Sequence, residues 1–313
     1  MNTQTRAVIG SGKHRYEVID RWEKLPARFR LATTHGVVED SRGRILIHHT
    51  GRQSVVILDP DGRYESSWGD EYEGGAHGMF LNREADGEYL YLSATSLGFV
   101  AKTTLDGREV FRIGTPERPD IYDQERKFVP TETAVASDGR IYVADGYGQS
   151  WVHVYDRSAR YVTSFGGKGN GTGQLDNPHG IKIDTRGAEP LVLVSDRGNR
   201  RLQYFTLDGQ HVRFTQGDLR KPCTTYQWKD EIYIPDLYSR LTILDREDRL
   251  VAHLGDWPEC WNKEGWPDLP ASGWVTGRFS SPHDLHVDGK GSIYVVEWLS
   301  EGTPKITKLV RLS

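Results

Sequence analysis

Short runs of alternating apolar and polar residues, separated by Gly- and Asp-containing turns, cover nearly the whole chain. The segment from Asn177 to Gly209 shows the unit. Ile181 and Ile183 alternate with polar neighbours, and a polar turn follows at Asp184 to Gly187. A second apolar run spans Leu191 to Val194, and a third, Leu202 to Phe205, ends at Asp208-Gly209. A period of two with such breaks predicts strands. No segment combines a helical period with caps. The unit recurs in six copies, starting at Thr34, Ala76, Pro130, Asn177, Pro222 and Pro282. The spacing, roughly 40–60 residues, is that of propeller blades. RYESSWG, REVFRIG, RYVTSFGG and RLVAHLGD supply outermost fourth strands.

The pattern therefore predicts an all-β fold, a six-bladed β-propeller, as a single domain over 1–313. The segment from His14 to Trp22 also alternates. We expect this N-terminal strand to join the last blade beside 305–312, which closes the ring and removes an exposed edge. Two insertions interrupt the repeat, Thr115–Phe128 and Asp256–Arg278. The second carries Trp257, Trp261, Trp266 and Trp274. Each is expected either to roof one end of the channel or to pack on itself.

Composition sharpens this picture. Aromatic residues are 11% of the chain and glycines number 34, as many short strands and tight turns require. A net charge of −4 gives no support for nucleic-acid binding. No apolar run is long enough for a membrane span, and segment 1–18 has no signal-peptide core. The two cysteines, Cys223 and Cys260, allow one disulfide at most. The expectation is a cytoplasmic protein with a small-molecule substrate and neither nucleic acid nor membrane as partner.

The residue before each first strand falls at the same place in every blade: His35, His77, Thr131, His179, Cys223 and His283. Inner strands line a propeller's channel, so these side chains are expected to converge. His77, His179 and His283 lie in alternate blades, about 120° apart in a six-fold ring. Three imidazoles arriving that way suit Zn, or another divalent transition metal, with positions left open. His35 is read as a further ligand, a base or a polar lining residue. Cys223 is read as a soft ligand or a buried small hydrophobe. Of His48 and His49, alternation lets one face inward. The turn after the second strand also faces the site, and it carries Tyr147 in blade three and Arg197 in blade four. A Tyr beside a metal and a cation can ionise below its free pKa near 10, and Arg can grip a carboxylate. Asp145, Asp196 and Asp236 are read as turn formers.

The run from Asp145 through Asn177-Pro178-His179-Gly180 to Phe205 resembles NHL-repeat propellers. It is similar to the lyase domain of the peptidylglycine α-amidating enzymes. That family's motifs correspond to AHGMF at His77, DGYGQS at Tyr147, NPHGI at His179, SDRGNRRLQ at Arg197 and SPHDL at His283. The resemblance implies a Zn on His77, His179 and His283. It also implies a reaction that splits peptidyl-α-hydroxyglycine into an amide and glyoxylate. Tyr147 would take the hydroxyl proton, and Arg197 would bind the carboxylate or stabilise developing charge. A structural Ca would lie on Asp284 and the carbonyls of Val37 and Met79.

The chain departs from the family in three ways. The family has an Arg in an H-R-G context after the second strand of blade one; this chain has His49-Thr50-Gly51-Arg52, so the Arg is shifted, and Arg52 is a catalytic candidate that either replaces it or does not. The family's Cys after the Tyr is Gly148, and its paired cysteines are missing, which fits a reducing compartment. His35 is outside the family pattern and implies an altered pocket. The reading is a metal-dependent lyase for a small polar α-hydroxy compound, peptidyl-α-hydroxyglycine-like or carbohydrate-derived. The competing readings are a sugar-lactone hydrolase, whose metal uses acidic and Asn ligands, and a non-catalytic NHL scaffold binding protein or polysaccharide. Virginiamycin-type lyases are a neighbouring fold, but no motif here points to them.

Overall fold

The computed structural model describes residues 7–300 and 305–312. Residues 1–6, part of the segment judged to lack a signal core, lie outside these. The chain forms six antiparallel sheets arranged as a six-bladed propeller. The inner strands of blades I to VI are Thr34–Glu39, Ala76–Glu84, Glu132–Val135, Pro178–Asp184, Tyr226–Trp228 and Pro282–Val287. Helical structure among the described residues is limited to short 3₁₀ turns, such as Cys260–Asn262. No helix is long and apolar enough to cross a membrane.

Ring closure follows the predicted route and extends it. His14–Ile19 pairs antiparallel with Ile306–Arg311 of blade VI. A further strand, Val8–Ser11, pairs outside it, so blade VI has five strands. The alternation of this segment is why it closes the ring: Tyr16 and Val18 point inward and are buried. They join Tyr233, Leu241, Leu254 and Leu309 in one cluster between blades V and VI. Comparable clusters lie between every other pair of adjacent blades. Each blade thus buries both faces against its neighbours, and the ring is held by shared cores.

The two insertions differ. In the first, Ile121, Tyr122 and Phe128 are buried against blade III. The Tyr122 hydroxyl donates to Asp145 Oδ2 at 2.7 Å and lies 2.6 Å from His153 Nε2, while His153 Nδ1 meets Ser164 Oγ at 2.7 Å. This segment packs on a blade rather than over the channel. The second has its own small core, Trp257, Cys260 and Leu269, but also sends Trp266 to the channel mouth.

Burial, helped by nearby Arg118, lowers the His153 pKa to about 3. The unfolded chain takes up this proton first, near pH 6.5. The stability from this group is therefore complete above pH 6.5 and is lost as pH falls toward 3. At pH 5 the loss is about 2 kcal/mol. Urea unfolding at pH 7.5 and pH 5 should show a smaller acid loss for His153→Gln than for the parent. An equal loss would remove His153 from the account.

Candidate metal centre

Four inner strands carry a β-bulge at the blade entrance. The register shifts between Thr34 and Gly36, Ala76 and Met79, Pro178 and Gly180, and Pro282 and Asp284. A bulge releases a residue from the ladder and re-aims its side chain. The residues released include His35, His77, His179 and His283, all buried. Glycine follows the first three. A Cβ on Gly36, Gly78 or Gly180 would come within 2.7, 2.3 or 2.5 Å of the next blade's inner segment. Their missing side chains let neighbouring blades approach at the axis.

Each of three imidazoles is oriented by the next blade. His77 Nδ1 lies 2.8 Å from the Thr131 carbonyl, His179 Nδ1 2.9 Å from that of Cys223, and His283 Nδ1 2.9 Å from that of His35. A carbonyl only accepts, so each Nδ1 donates and each Nε2 is left unprotonated, with its lone pair available as an acceptor or ligand. This is the tautomer and support that a metal-ligating imidazole needs. The ring centroids form a nearly equilateral triangle with sides of 4.7, 4.9 and 4.8 Å. Burial is the largest effect holding all three well below the ordinary His pKa, so they are neutral. A cavity of about 10 Å³ touches these three rings and His35 and is closed further by Glu132, Thr224 and Asp284; it is about the volume of one water.

His35 sits beside this triangle, 4.8 Å from His77 and 4.7 Å from His283 by ring centroid. Its Nδ1 has no hydrogen-bond partner, and burial lowers its pKa to about 4. The donor atoms of His35, His77 and His283 lie within 4.8 Å of one another, as do those of His179, Cys223 and His283. Nitrogen donors of this kind fit a borderline transition ion.

Tyr147 and Arg197 meet this cluster. The Tyr147 hydroxyl lies 3.0 Å from His179 Nε2 and 3.3 Å from His77 Nε2, and Arg197 Nη2 donates to it at 3.0 Å. Asn177 fixes both loops. It adopts φ 54°, which Asn tolerates. Its amide donates to the Gly146 carbonyl at 2.7 Å, and its Oδ1 accepts from Arg197 Nε at 2.7 Å. Arg197 is only 8% exposed. Its side-chain contacts are Asn177, Tyr147 and, at 3.8 Å, the Cys223 sulfur. No carboxylate pairs with it among the described residues. A buried guanidinium without an acid is a site for an anion.

The Tyr147 ring is 42% exposed, yet its hydroxyl is enclosed by these groups. Burial raises its pKa above 10, and Arg197 only partly opposes this. The expected fall below 10 is therefore not produced by the cation alone. Arg52 is not brought to the site. It lies on the surface of blade I, paired with Asp70 at 2.8 Å, because the turn at Gln53 directs it to solvent. Cys223 keeps its proton, since burial raises its thiol to about 11. Both cysteines are free.

Val37, Met79 and Asp284 line one cavity of about 210 Å³ on the channel. Asp284 accepts from the backbone N–H of Val37 at 2.9 Å and of Leu285 at 2.8 Å. Burial raises it to about 8, with Lys182 opposing and Glu132 adding to the rise. Lys182 lines the same cavity and pairs with Glu132. Its ammonium is balanced by that carboxylate, and Asp284 itself is held by two backbone N–H groups. The Glu132–Lys182 pair was not anticipated from sequence; Glu132 holds the position after a blade entrance that Asp284 holds in blade VI.

The strand-end acids do more than form turns. Asp145 accepts from Val129 N at 2.7 Å, Asp196 from Asp176 N at 2.7 Å, Asp236 from Arg220 N at 2.8 Å and Glu297 from Ser281 N at 3.0 Å. Each clamps the segment that leads into its blade entrance. In blade I, His49 Nδ1 does this for Ala32 N at 3.2 Å. His48 faces the other way, toward Tyr72, as alternation requires.

A family model described as a 6-bladed beta-propeller (DUF5128) matches residues 129–249. NHL repeat-containing protein 3 of Homo sapiens is 26% identical over 196 residues, 60% of this chain and 55% of that protein. Peptidyl-alpha-hydroxyglycine alpha-amidating lyase 1 of Drosophila melanogaster is 26% identical over 275 residues, 79% of this chain and 47% of that protein. The chain thus spans about half the length of these curated relatives. Virginiamycin B lyase from Staphylococcus aureus shares the fold at 12% identity and a TM-score of 0.60, with 95% of this chain and 100% of that chain covered. Together these similarities support an NHL-type propeller.

The unpaired Arg197 makes a direct prediction. Glyoxylate should raise the melting temperature of the parent, by mass action on the folded state. At tenfold excess over its Kd the gain is about 1.4 kcal/mol. Arg197→Gln should abolish the shift. A shift that survives in the variant would place the anion elsewhere.

Proposed function

We propose that this protein is a metal-dependent lyase that cleaves the carbon–nitrogen bond of a small N-acyl-α-hydroxyglycine. The observation that carries the reading is the set of three imidazoles, each fixed through Nδ1 by the next blade, whose neighbours are a phenol and an unpaired guanidinium. His77, His179 and His283 would hold the ion, with His35 or Cys223 at its edge. A divalent transition metal such as Zn held there would supply Lewis-acid chemistry.

The chain's own residues account for the rest. Arg197 binds the substrate carboxylate and holds the α-carbon near Tyr147. With a bound cation adding to Arg197, Tyr147 would first lose its phenolic proton to solvent; the phenolate, stabilised by the Arg197 N–H, would then receive the α-hydroxyl proton and pass it to the departing nitrogen. The carbon–oxygen bond becomes the carbonyl of glyoxylate as the carbon–nitrogen bond breaks. The bonding pair stays on nitrogen, which takes up a proton and leaves as the primary amide. Similarity to the Drosophila lyase over 79% of this chain supports this reading. Two free, buried thiols support a reducing, cytoplasmic setting.

Elemental analysis of protein purified without added metal should find a near-stoichiometric transition metal in the parent and none in His179→Ala. The parent should release glyoxylate from N-acetyl-α-hydroxyglycine. Tyr147→Phe should keep the metal but lose about 10²–10⁴-fold in kcat. A parent that neither carries nor takes up Zn would sink the lyase and favour a binding propeller.

A further inference from the structure

We infer that the 256–278 insertion gives the channel mouth an acyl subsite that selects a compact aromatic group. The inference rests on the lyase reading for the identity of the reacting end. It concerns the other end of the substrate. The mouth holds a cavity of about 240 Å³. On one side are His283, Tyr147 and two cations, Arg197 and Lys221. On the other are Leu237, Tyr238, Trp266 and Trp298.

The apolar wall is already set. Tyr238 stacks on Trp261 at 4.7 Å with planes 9° apart. Trp266 stands edge-on to Tyr238 at 5.7 Å and to Trp298 at 6.1 Å. The Trp266 indole N–H is committed to the Ser280 carbonyl at 3.0 Å, so that ring offers area and no donor. Lys221 reaches the Tyr238 hydroxyl at 3.4 Å and lies 5.1 Å from the centre of that ring, so one cation borders the aromatic wall.

Two features choose among ligands. A sugar needs hydrogen-bonding groups around its ring, and this wall offers little beyond aromatic faces and edges. A flat acyl group fits it by area and edge-to-face contact. The cavity is also below the 300–1,000 Å³ usual for drug-sized ligands. An N-aroyl-α-hydroxyglycine fits within it, whereas a peptide chain would extend beyond it into solvent. The second insertion thereby takes a role that the packed first insertion cannot share.

The test uses non-reacting analogues, so it does not depend on turnover. N-benzoylglycine and N-acetylglycine carry the same carboxylate and differ in the acyl group. Calorimetry on the purified protein should give roughly 10- to 100-fold tighter binding of N-benzoylglycine. Trp266→Ala should bring the ratio below about threefold. Trp298→Ala, at the exposed rim, is the second variant should the first fail to fold. Equal affinity for the two ligands, no binding of either, or a ratio unchanged in the folded variants would overturn the subsite. Turnover of N-acyl-α-hydroxyglycines without aromatic preference would refute the subsite and leave the lyase standing. Aromatic-selective binding without turnover of any α-hydroxyglycine would do the reverse.

Discussion

Six sheets can share one axis only if their innermost segments approach backbone to backbone. That constraint organises the centre of this molecule. Gly36, Gly78 and Gly180 have no side chain to put between blades, and the bulges beside them turn histidines toward the axis. The close approach also brings each main-chain carbonyl within reach of the preceding imidazole. One geometric requirement thus produces tight packing, oriented rings and a fixed tautomer together. The buried clusters between blades then lock the spacing.

The electrostatics follow from the same enclosure. Low polarity keeps the imidazoles neutral, which is the form able to donate a lone pair. It also makes the unpaired Arg197 costly, a cost that an anion bound beside it would relieve. The strand-end acids are arranged differently. Asp145, Asp196, Asp236 and Glu297 each accept from backbone N–H groups, and all but Asp145 also pair with a cation, and they define where the entrance residues stand.

Much of this was legible in the sequence. The period-two runs and repeated turns gave the blades, and the alternation around Tyr16 gave the closure. The repeat alone aligned His77, His179 and His283. Bulges were invisible, because they sit at the first residues of each inner strand, where too few alternating positions precede them to show a break in phase. Arg52 was misplaced for a related reason: its direction depends on the left-handed turn at Gln53, not on residue type. The outermost strand Val8–Ser11 is mostly exposed and has little patterning to reveal it. The Glu132–Lys182 pair joins residues fifty positions apart, and no local rule connects them. The aromatic insertion could be recognised by composition, but its aim depends on where Ser280 and Tyr238 hold Trp266 and Trp261.

Blade VI draws strands from both ends of the described chain, and it is also the blade that carries His283. His283 therefore follows the other imidazoles in chain order, on a blade that also needs the strands Val8–Ser11 and His14–Ile19. During translation, blades I to V can form in turn while His77 and His179 wait for their third neighbour. The order of synthesis is thus written into the site: a chain stopped short of Pro282 has most of a propeller but lacks a complete centre. Chemical competence would then report that the ring has been completed.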